Sequence, residues 1–363
     1  MKIILKIIIL VFCTITYANS WQKPIETKYL FSLNDYIPGE YINHNDHNMK
    51  NMDHYGHGPI QSPSGFMGGH SHKAGHLMFS YHLMYMEMKG KLLKGSKGIN
   101  LSDATSYMML PKEMTMTTHM FGIMYTPVDK FIVALMMPYT LKRMVMQSRM
   151  MPMTLTTQET DGIGDAKISM GYTIFKNKIH YFHGDMGFGL PTGSINKTDP
   201  TTGKHYGYQL QLGSGSYELL PAITYGGNSY GFAWAFQMKG TFRINENSNK
   251  YKLGSRYEIS TWGSYKFFNW LSSSVRLNFD VQENIKGQDL NQPSPSMMPG
   301  HDPNAYGYTR FDGLLGLNFY PPTGTFKSKI AMEGGIPMYQ HMEGIKRAVS
   351  LILSVEASIG YSF

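Results

Sequence analysis

The chain has 363 residues, of which 42% are hydrophobic, and it carries a formal net charge of +8 and a single cysteine. Lysine and arginine are spread along the sequence without a basic block, so nucleic acid is not expected as a partner. Beyond the first twenty residues, no stretch approaches the roughly 18 consecutive apolar residues that a transmembrane helix needs. A chain of this composition is either a soluble domain or a β-barrel, whose strands are apolar on one face only.

Residues 1–20 are predicted to be a cleaved export signal. Lys2 and Lys6 flank or precede an apolar run that is too short to span a bilayer, and small or polar residues follow it. The cut is expected after Ala18 or Ser20. Cys13 lies inside the run behind a bulky Phe12, which argues against a lipid anchor. The mature chain then has no cysteine, which excludes disulfides and thiolate metal sites.

Residues 21–74 are predicted to form an irregular periplasmic arm, either a plug of the barrel or a free extension. The arm is rich in histidine and methionine, whose imidazole and thioether groups suit copper or a similar soft metal. No cofactor is certain, and copper is the candidate. The alternative is a polar extension that happens to contain histidine. The candidate ligands are His44, His47, Met49, Met52, His54, His57, His70 and His72.

Residues 75–363 are predicted to form an all-β fold, a transmembrane antiparallel β-barrel of about twelve strands. In 230–245, Phe232, Trp234 and Phe236 alternate with residues such as Gln237 and Lys239, as a lipid face alternates with a wet lumen. Long and short connections also alternate, as expected when short turns share one rim. The predicted strands are 77–88, 114–126, 130–146, 163–175, 179–191, 209–225, 230–244, 252–268, 270–283, 307–320, 327–339 and 349–363.

The predicted lumen carries two kinds of side chain. Thioethers and an imidazole in the first strand could bind Cu(I) or an apolar solute, or could simply fill a narrow interior. Charges of both signs predict a narrow or plugged path, and they are more often structural crosslinks than a selectivity filter. The candidate lumen residues are Met78, His82, Met84, Met86, Lys239, Arg243, Arg256, Glu258, Arg276 and Asp280.

The last thirteen residues, 351–363, alternate strictly between apolar and small or polar side chains and end on Phe363. A strand of this kind suits a closed membrane barrel. The terminal aromatic residue resembles the sorting signal read by the bacterial outer-membrane assembly machinery, which is therefore an expected partner along with outer-membrane lipid. The alternative is the edge strand of a soluble sandwich.

Three segments carry a family resemblance: GIGDAKISMGYTIF (162–175), GDMGFGLPTGS (184–194) and LGSGSYELLPAITYGG (212–227). They resemble the outer-membrane proteins of the phenol meta-degradation transporter-like family. Segment 65–90 resembles the start of a His/Met-rich transporter branch, although Gly69 and His76 stand where that pattern usually has an acid. The resemblance implies a barrel and transport, but no particular substrate.

These observations predict an outer-membrane barrel of a Gram-negative bacterium that passes or binds a small solute by passive diffusion. One alternative is an accessory of copper binding or export that uses the His/Met arm. Another is a structural or adhesive barrel. No arrangement of Ser, His and acid indicates a lipid hydrolase, so an enzyme is not expected.

Overall fold

A computed structural model describes residues 61–69, 72–149, 154–322 and 326–362. The chain divides into two compact units, 1–55 and 56–363, and all the described residues belong to the second. The predicted signal, the ligands His44 to His57, His70 and the terminal Phe363 lie outside the described residues. Within the described ranges, no helix is long and apolar enough to cross a membrane.

Twelve antiparallel strands form a closed barrel, which confirms the predicted fold class and strand number. The first strand pairs with the last, from His76 opposite Ser362 to Glu87 opposite Leu351. This pairing closes the sheet, so neither strand is left as an unpaired edge. The barrel strands are β1 (His76–Met88), β4 (Met109–Val128), β5 (Phe131–Ser148), β7 (Ala166–Lys176), β8 (His180–Leu190), β9 (Glu218–Ser229), β10 (Phe232–Arg243), β12 (Arg256–Phe268), β13 (Leu271–Gln282), β15 (Tyr308–Phe319), β16 (Lys327–Arg347) and β17 (Leu351–Ser362). Shorter strands outside this ring are β2 (Leu92–Gly95), β3 (Lys97–Gly98), β6 (Leu155–Ile163), β11 (Tyr251–Lys252) and β14 (Lys286–Gly287).

The outer face of the barrel is apolar. Phe79, Leu315 and Ile336 are exposed there, and 68% of the Leu315 surface is accessible. Charged side chains are costly on such a face in lipid, and the ion pairs among β10, β12 and β13 lie inside the barrel. Arg143, Glu113 and Glu159 form an exposed ionic cluster towards the long-loop ends of β4 and β5. His119, whose orientation the sequence leaves undecided, lies on the outer side, where its Nδ1 is 2.8 Å from the Tyr81 hydroxyl. The alternation in sequence is therefore that of a membrane-spanning barrel.

The connections alternate as expected, with short turns at one rim and long loops at the other. We call these the short-turn rim, which includes turns 129–130 and 269–270, and the long-loop rim, which includes loops 191–217 and 283–307. Both ends of the barrel sequence, at His76 and Ser362, lie at the short-turn rim. This arrangement is typical of outer-membrane barrels.

The two largest errors in the predicted strand boundaries are in β9 and β16. Strand β9 begins at Glu218 and not at 209, because Leu210 is drawn into a buried methionine cluster of the loop region. Strand β16 continues to Arg347, where a loop was expected over 340–348, because its last part pairs with the short strand β2. Both differences depend on contacts between distant parts of the chain.

Asp165, in the short break between β6 and β7, fastens loop 191–217 to the barrel. The carboxylate of Asp165 accepts hydrogen bonds from the backbone N–H of Gly193 at 2.9 Å and of Ser214 at 2.7 Å. The Ser214 hydroxyl donates to the same carboxylate. The sequence of this stretch predicts a turn that opens a strand, but the chain does not reverse here: Gly162 and Ile163 belong to β6, and β6 and β7 pair with successive parts of β5. The acid in the break between them holds the loop in place at the long-loop rim.

Candidate solute pathway

Residues 61–69, which we call the plug segment, lie inside the barrel. The ring of Phe66 packs edge-on against Trp262 of β12 with centroids 5.6 Å apart, and both side chains are buried. The backbone N–H of Gly65 donates to Glu333 of β16 at 3.1 Å. Ser64 and Ser354 of β17 share a hydrogen bond. The described part of the predicted arm therefore crosses the lumen between opposite walls.

Polar contacts fix both ends of the plug segment. At one end, Gln61 accepts from the Ser264 hydroxyl, and its carbonyl accepts from the Asn318 amide at 3.2 Å. At the other, the Gln237 amide donates to the carbonyl of Met67 at 3.3 Å. Gln237, expected on a wet face, is consequently only 2% exposed.

The end of the plug segment requires glycine. Gly69 has a φ of +78°, and a Cβ there would come within 2.6 Å of the Thr224 side chain. An acid at this position would be both strained and crowded. This accounts for one of the two departures from the family pattern, and it places the chain close against β9. The other departure, His76, is accommodated at the barrel seam, where its Nδ1 lies 2.9 Å from the Ser362 hydroxyl.

Each charged lumen residue that the sequence singles out is engaged in an ion pair. Arg276 holds Glu333 through two hydrogen bonds of 2.8 and 2.9 Å, beside the plug segment. Arg256 holds Asp280 in the same two-pronged way. The remaining pairs are Lys239–Glu258, Arg243–Glu218, Arg310–Asp312 and Lys329–Glu356. Buried charges are tolerated when paired in this manner, so these residues crosslink the wall.

A cavity of about 130 Å³ lies between the plug segment and the short-turn rim, and we call it the short-turn cavity. Its wall includes Met78, His82 and Met120, together with Phe66 of the plug segment. The His72 and His76 rings also reach it and lie 4.1 Å apart between centroids. The cavity thus combines imidazoles, thioethers and an aromatic ring.

A second cavity, of about 240 Å³, lies nearer the long-loop rim, and we call it the long-loop cavity. Strand register places Met88 opposite Met114, and Met114 opposite Met144, so that three thioethers form a row across β1, β4 and β5. Side chains directly opposite each other on neighbouring strands are in contact range. The methionines of this wall are Met86, Met88, Met114, Met116, Met144, Met146 and Met342.

The predicted lumen residues of β1 occupy successive levels of this pathway. Met78 and His82 line the short-turn cavity and Met86 the long-loop cavity. Met84 lies between them, opposite Ser354, at the level of the plug segment. Whether these residues bind a solute stays a prediction. Within the described residues, no three His, Cys, Asp or Glu side chains come close enough to hold a metal ion.

Three basic residues of the long-loop cavity escaped the sequence analysis: Lys142, Lys346 and Arg347. Lys142 could have been found, because it alternates in phase with Met144 and Met146 of the same strand. Lys346 and Arg347 could not, because the sequence places them in a predicted loop. Only the unforeseen length of β16 brings them to the wall.

No protein-family model matches the sequence, and no curated protein matches it significantly. Among solved structures, an outer membrane channel from Pseudomonas putida F1 is 12% identical, with 81% of this chain and 97% of that chain covered and a TM-score of 0.53. The transport unit of the autotransporter AIDA-I from Escherichia coli is 9% identical, covering 82% and 93% with a TM-score of 0.41. A FadL homologue from Pseudomonas aeruginosa is 8% identical, covering 79% and 90% with a TM-score of 0.39. The similarity to the first of these structures confirms that the fold is that of an outer-membrane barrel.

Proposed function

We propose that this protein is a passive outer-membrane channel for a small solute with an apolar body. The observation that carries the proposal is the stacking of two methionine-containing cavities along one lumen, on either side of the plug segment. Methionine is flexible and polarisable, and it adapts to apolar ligands of varied shape. A solute would rest in the long-loop cavity and then in the short-turn cavity.

Passage between the cavities would require the plug segment to shift. Its hold on the wall includes one buried aromatic contact, Phe66 on Trp262, and hydrogen bonds with wall side chains. Those side chains are Glu333, Ser354, Gln237, Ser264, Asn318 and Lys329. Hydrogen bonds of this kind contribute about 0.5–1.5 kcal/mol each, and those to charged groups more. Thermal displacement of a short segment held in this way is compatible with diffusion down a gradient.

The proposal is tested by filling the long-loop cavity. Met116 lines it, and the neighbouring Thr117 pairs with Tyr85 and Leu141 of the outer face. We expect Met116→Trp to abolish the protein-dependent uptake of labelled naphthalene by cells that carry the barrel, and Thr117→Trp, the matched control, to leave it unchanged. Equal uptake by both variants and the parent would contradict a route through the lumen.

A second candidate function is the capture of copper. The close approach of the His72 and His76 rings at a cavity that also exposes Met78 and Met120 favours it, since imidazole and thioether are copper ligands. The sequence also offers His44, His47, His54 and His57 as candidate copper ligands. Calorimetry with Cu(I) and Cu(II) on the mature protein tests the idea, and replacing those four histidines with Ala should lower the Cu(II) affinity at least about tenfold.

Export and insertion complete the proposal. The chain would lose residues 1–20 on export and enter the outer membrane through recognition of its last strand by the assembly machinery. The closed seam between β1 and β17 supports this, because the last strand must be in place before the barrel can close. A variant that lacks Phe363 should fail to give a heat-modifiable band in outer-membrane fractions.

A further inference from the structure

The long-loop cavity is electrostatically one-sided. Five basic residues line it, and its wall contains no Asp or Glu among the described residues. Arg256 and Arg310 are neutralised by ion pairs with the buried carboxylates of Asp280 and Asp312, which do not line the cavity. The other three, Lys142, Lys346 and Arg347, form no ion pair with any described carboxylate. Arg347 therefore leaves a positive charge at this cavity, and Lys142 and Lys346 add to that charge when they are protonated.

Backbone carbonyl groups hold the three cations in place. The Lys142 ammonium donates to the carbonyls of Gln209, at 3.0 Å, and of Gln211. The Lys346 ammonium donates to the carbonyls of Tyr306 and Gly307. The Arg347 guanidinium donates to those of Pro111 at 2.9 Å and Gly90 at 3.3 Å. Carbonyl dipoles orient these groups without neutralising them.

Each of the three cations keeps hydrogen-bonding capacity. An ammonium has three N–H donors and a guanidinium has five, so two carbonyl acceptors leave at least one donor on each residue. Partly buried cations without a counter-charge are costly. An anion that entered the cavity would be stabilised by charge-assisted hydrogen bonds, which are the stronger kind.

Much of the rest of the same wall is apolar. The row Met88–Met114–Met144 and its neighbours Met116 and Met146 present thioethers and methylene groups to the cavity. Such a wall offers nothing to a small inorganic anion, but it suits a hydrocarbon or aromatic body. The cavity therefore offers basic groups and an apolar surface side by side, as where Lys142 of β5 stands opposite Met116 of β4.

We propose that the long-loop cavity is a binding site for an amphipathic organic anion, an apolar or aromatic body bearing one carboxylate. The carboxylate binds to basic groups among Lys142, Lys346 and Arg347, and the body lies against the neighbouring methionines. The inference rests on the proposed channel function and narrows its solute class from apolar molecules in general to their carboxylated forms.

Binding of three probes to the detergent-solubilised full-length mature protein tests this inference. The probes are benzoate, the neutral benzyl alcohol, and acetate, which has the charge without the ring. We expect benzoate to bind more tightly than either of the others in calorimetry. The triple variant Lys142→Gln, Lys346→Gln, Arg347→Gln should lose affinity for benzoate by at least about tenfold, which corresponds to about 1.4 kcal/mol, because the charge-assisted hydrogen bonds are lost. Its affinity for benzyl alcohol should stay unchanged.

A matched control uses Lys112→Gln, an exposed lysine of β4 that does not line the cavity. It should leave benzoate affinity at the parent value. Because the triple variant could misfold, Met116→Ser provides a second arm, which should weaken benzoate and benzyl alcohol alike.

The outcomes separate the inference from the proposed function. Equal affinity of the parent for benzoate and benzyl alcohol, or a folded triple variant that binds benzoate like the parent, would overturn the inference while leaving an apolar channel intact. Tight binding of acetate alone would also overturn it and would indicate a simple anion site. Failure of both aromatic probes to bind would count against the channel proposal as well.

Discussion

Arg276 of β13 donates two hydrogen bonds, of 2.8 and 2.9 Å, to the carboxylate of Glu333 on β16, although strand β15 lies between the two. The same carboxylate accepts a hydrogen bond of 3.1 Å from the backbone N–H of Gly65. One acid thus serves two purposes. It neutralises a buried arginine, and it anchors the plug segment in mid-lumen. Loss of this acid should therefore affect both stability and permeability.

We expect Glu333→Gln to destabilise the barrel and to loosen the plug segment. Removing one partner of a buried ion pair costs about 3–5 kcal/mol, because the other charge is left uncompensated. Swelling of proteoliposomes in raffinose would report the loss of the constriction, and the unfolding midpoint would report stability. The matched control is Glu218→Gln, which breaks the pair with Arg243 but touches no plug residue. The control should unfold earlier without admitting raffinose, and the anchoring role fails if both variants leak equally.

Adjacent side chains of β7 point to opposite faces of the barrel wall, so we expect them to differ in how well they tolerate a charged substitution. Met170 is 40% exposed on the outer face, whereas Ser169 lines the short-turn cavity beside Asp185. We expect Met170→Arg to lower the free energy of unfolding by about 2–4 kcal/mol, as basic residues do near the bilayer midplane. Ser169→Arg should cost much less, since its charge lies near a carboxylate. Equilibrium unfolding in lipid vesicles measures both, and a reversed order would mean that the faces are exchanged.

Loop 283–307 should respond to acid through His301. Burial lowers the pKa of this histidine to about 4, from the 6.5 of an exposed imidazole. The folded loop disfavours the protonated imidazole of His301. The free energy that stabilises the folded loop is therefore fully present above pH 6.5 and falls by up to roughly 3 kcal/mol as the pH decreases towards 4. A spin label at the exposed Ser296, introduced as cysteine, should gain mobility over this window. In His301→Gln the label should show no such pH dependence, and a pH response that persists there would assign the effect to another group.

The strand count was predictable because it depends on local alternation. A residue in a barrel faces either lipid or lumen, and β10, β12 and β13 display that choice at every second position. The ends of β9 and β16 were not predictable. Leu210 and Leu212 alternate as the residues of a strand do, but both are buried within a loop. The last residues of β16 are paired with β2, which lies more than two hundred residues away in the sequence.

Only part of the candidate site was predictable, since Lys346 and Arg347 lie in what the sequence presents as a loop and the arrangement of the charged residues could not be derived. Charged lumen residues such as Arg276 and Asp280 could be placed on the inner face from periodicity alone. Their partners depend on strand register and on distant strands, as in Arg276 with Glu333, and no local pattern contains that information. The plug segment is a similar case, since the sequence around Phe66 gives no indication that it meets Trp262.

The central claim is that solute passes along the lumen and that the plug segment must move to let it through. Ser64→Cys with Ser354→Cys tests this, because the two hydroxyl groups are hydrogen-bonded and the mature chain is predicted to contain no other cysteine. Disulfide formation, verified by thiol titration, should stop naphthalene uptake by cells carrying the double variant, and reduction should restore it. Uptake that continues at the parent rate with the disulfide fully formed would contradict the account.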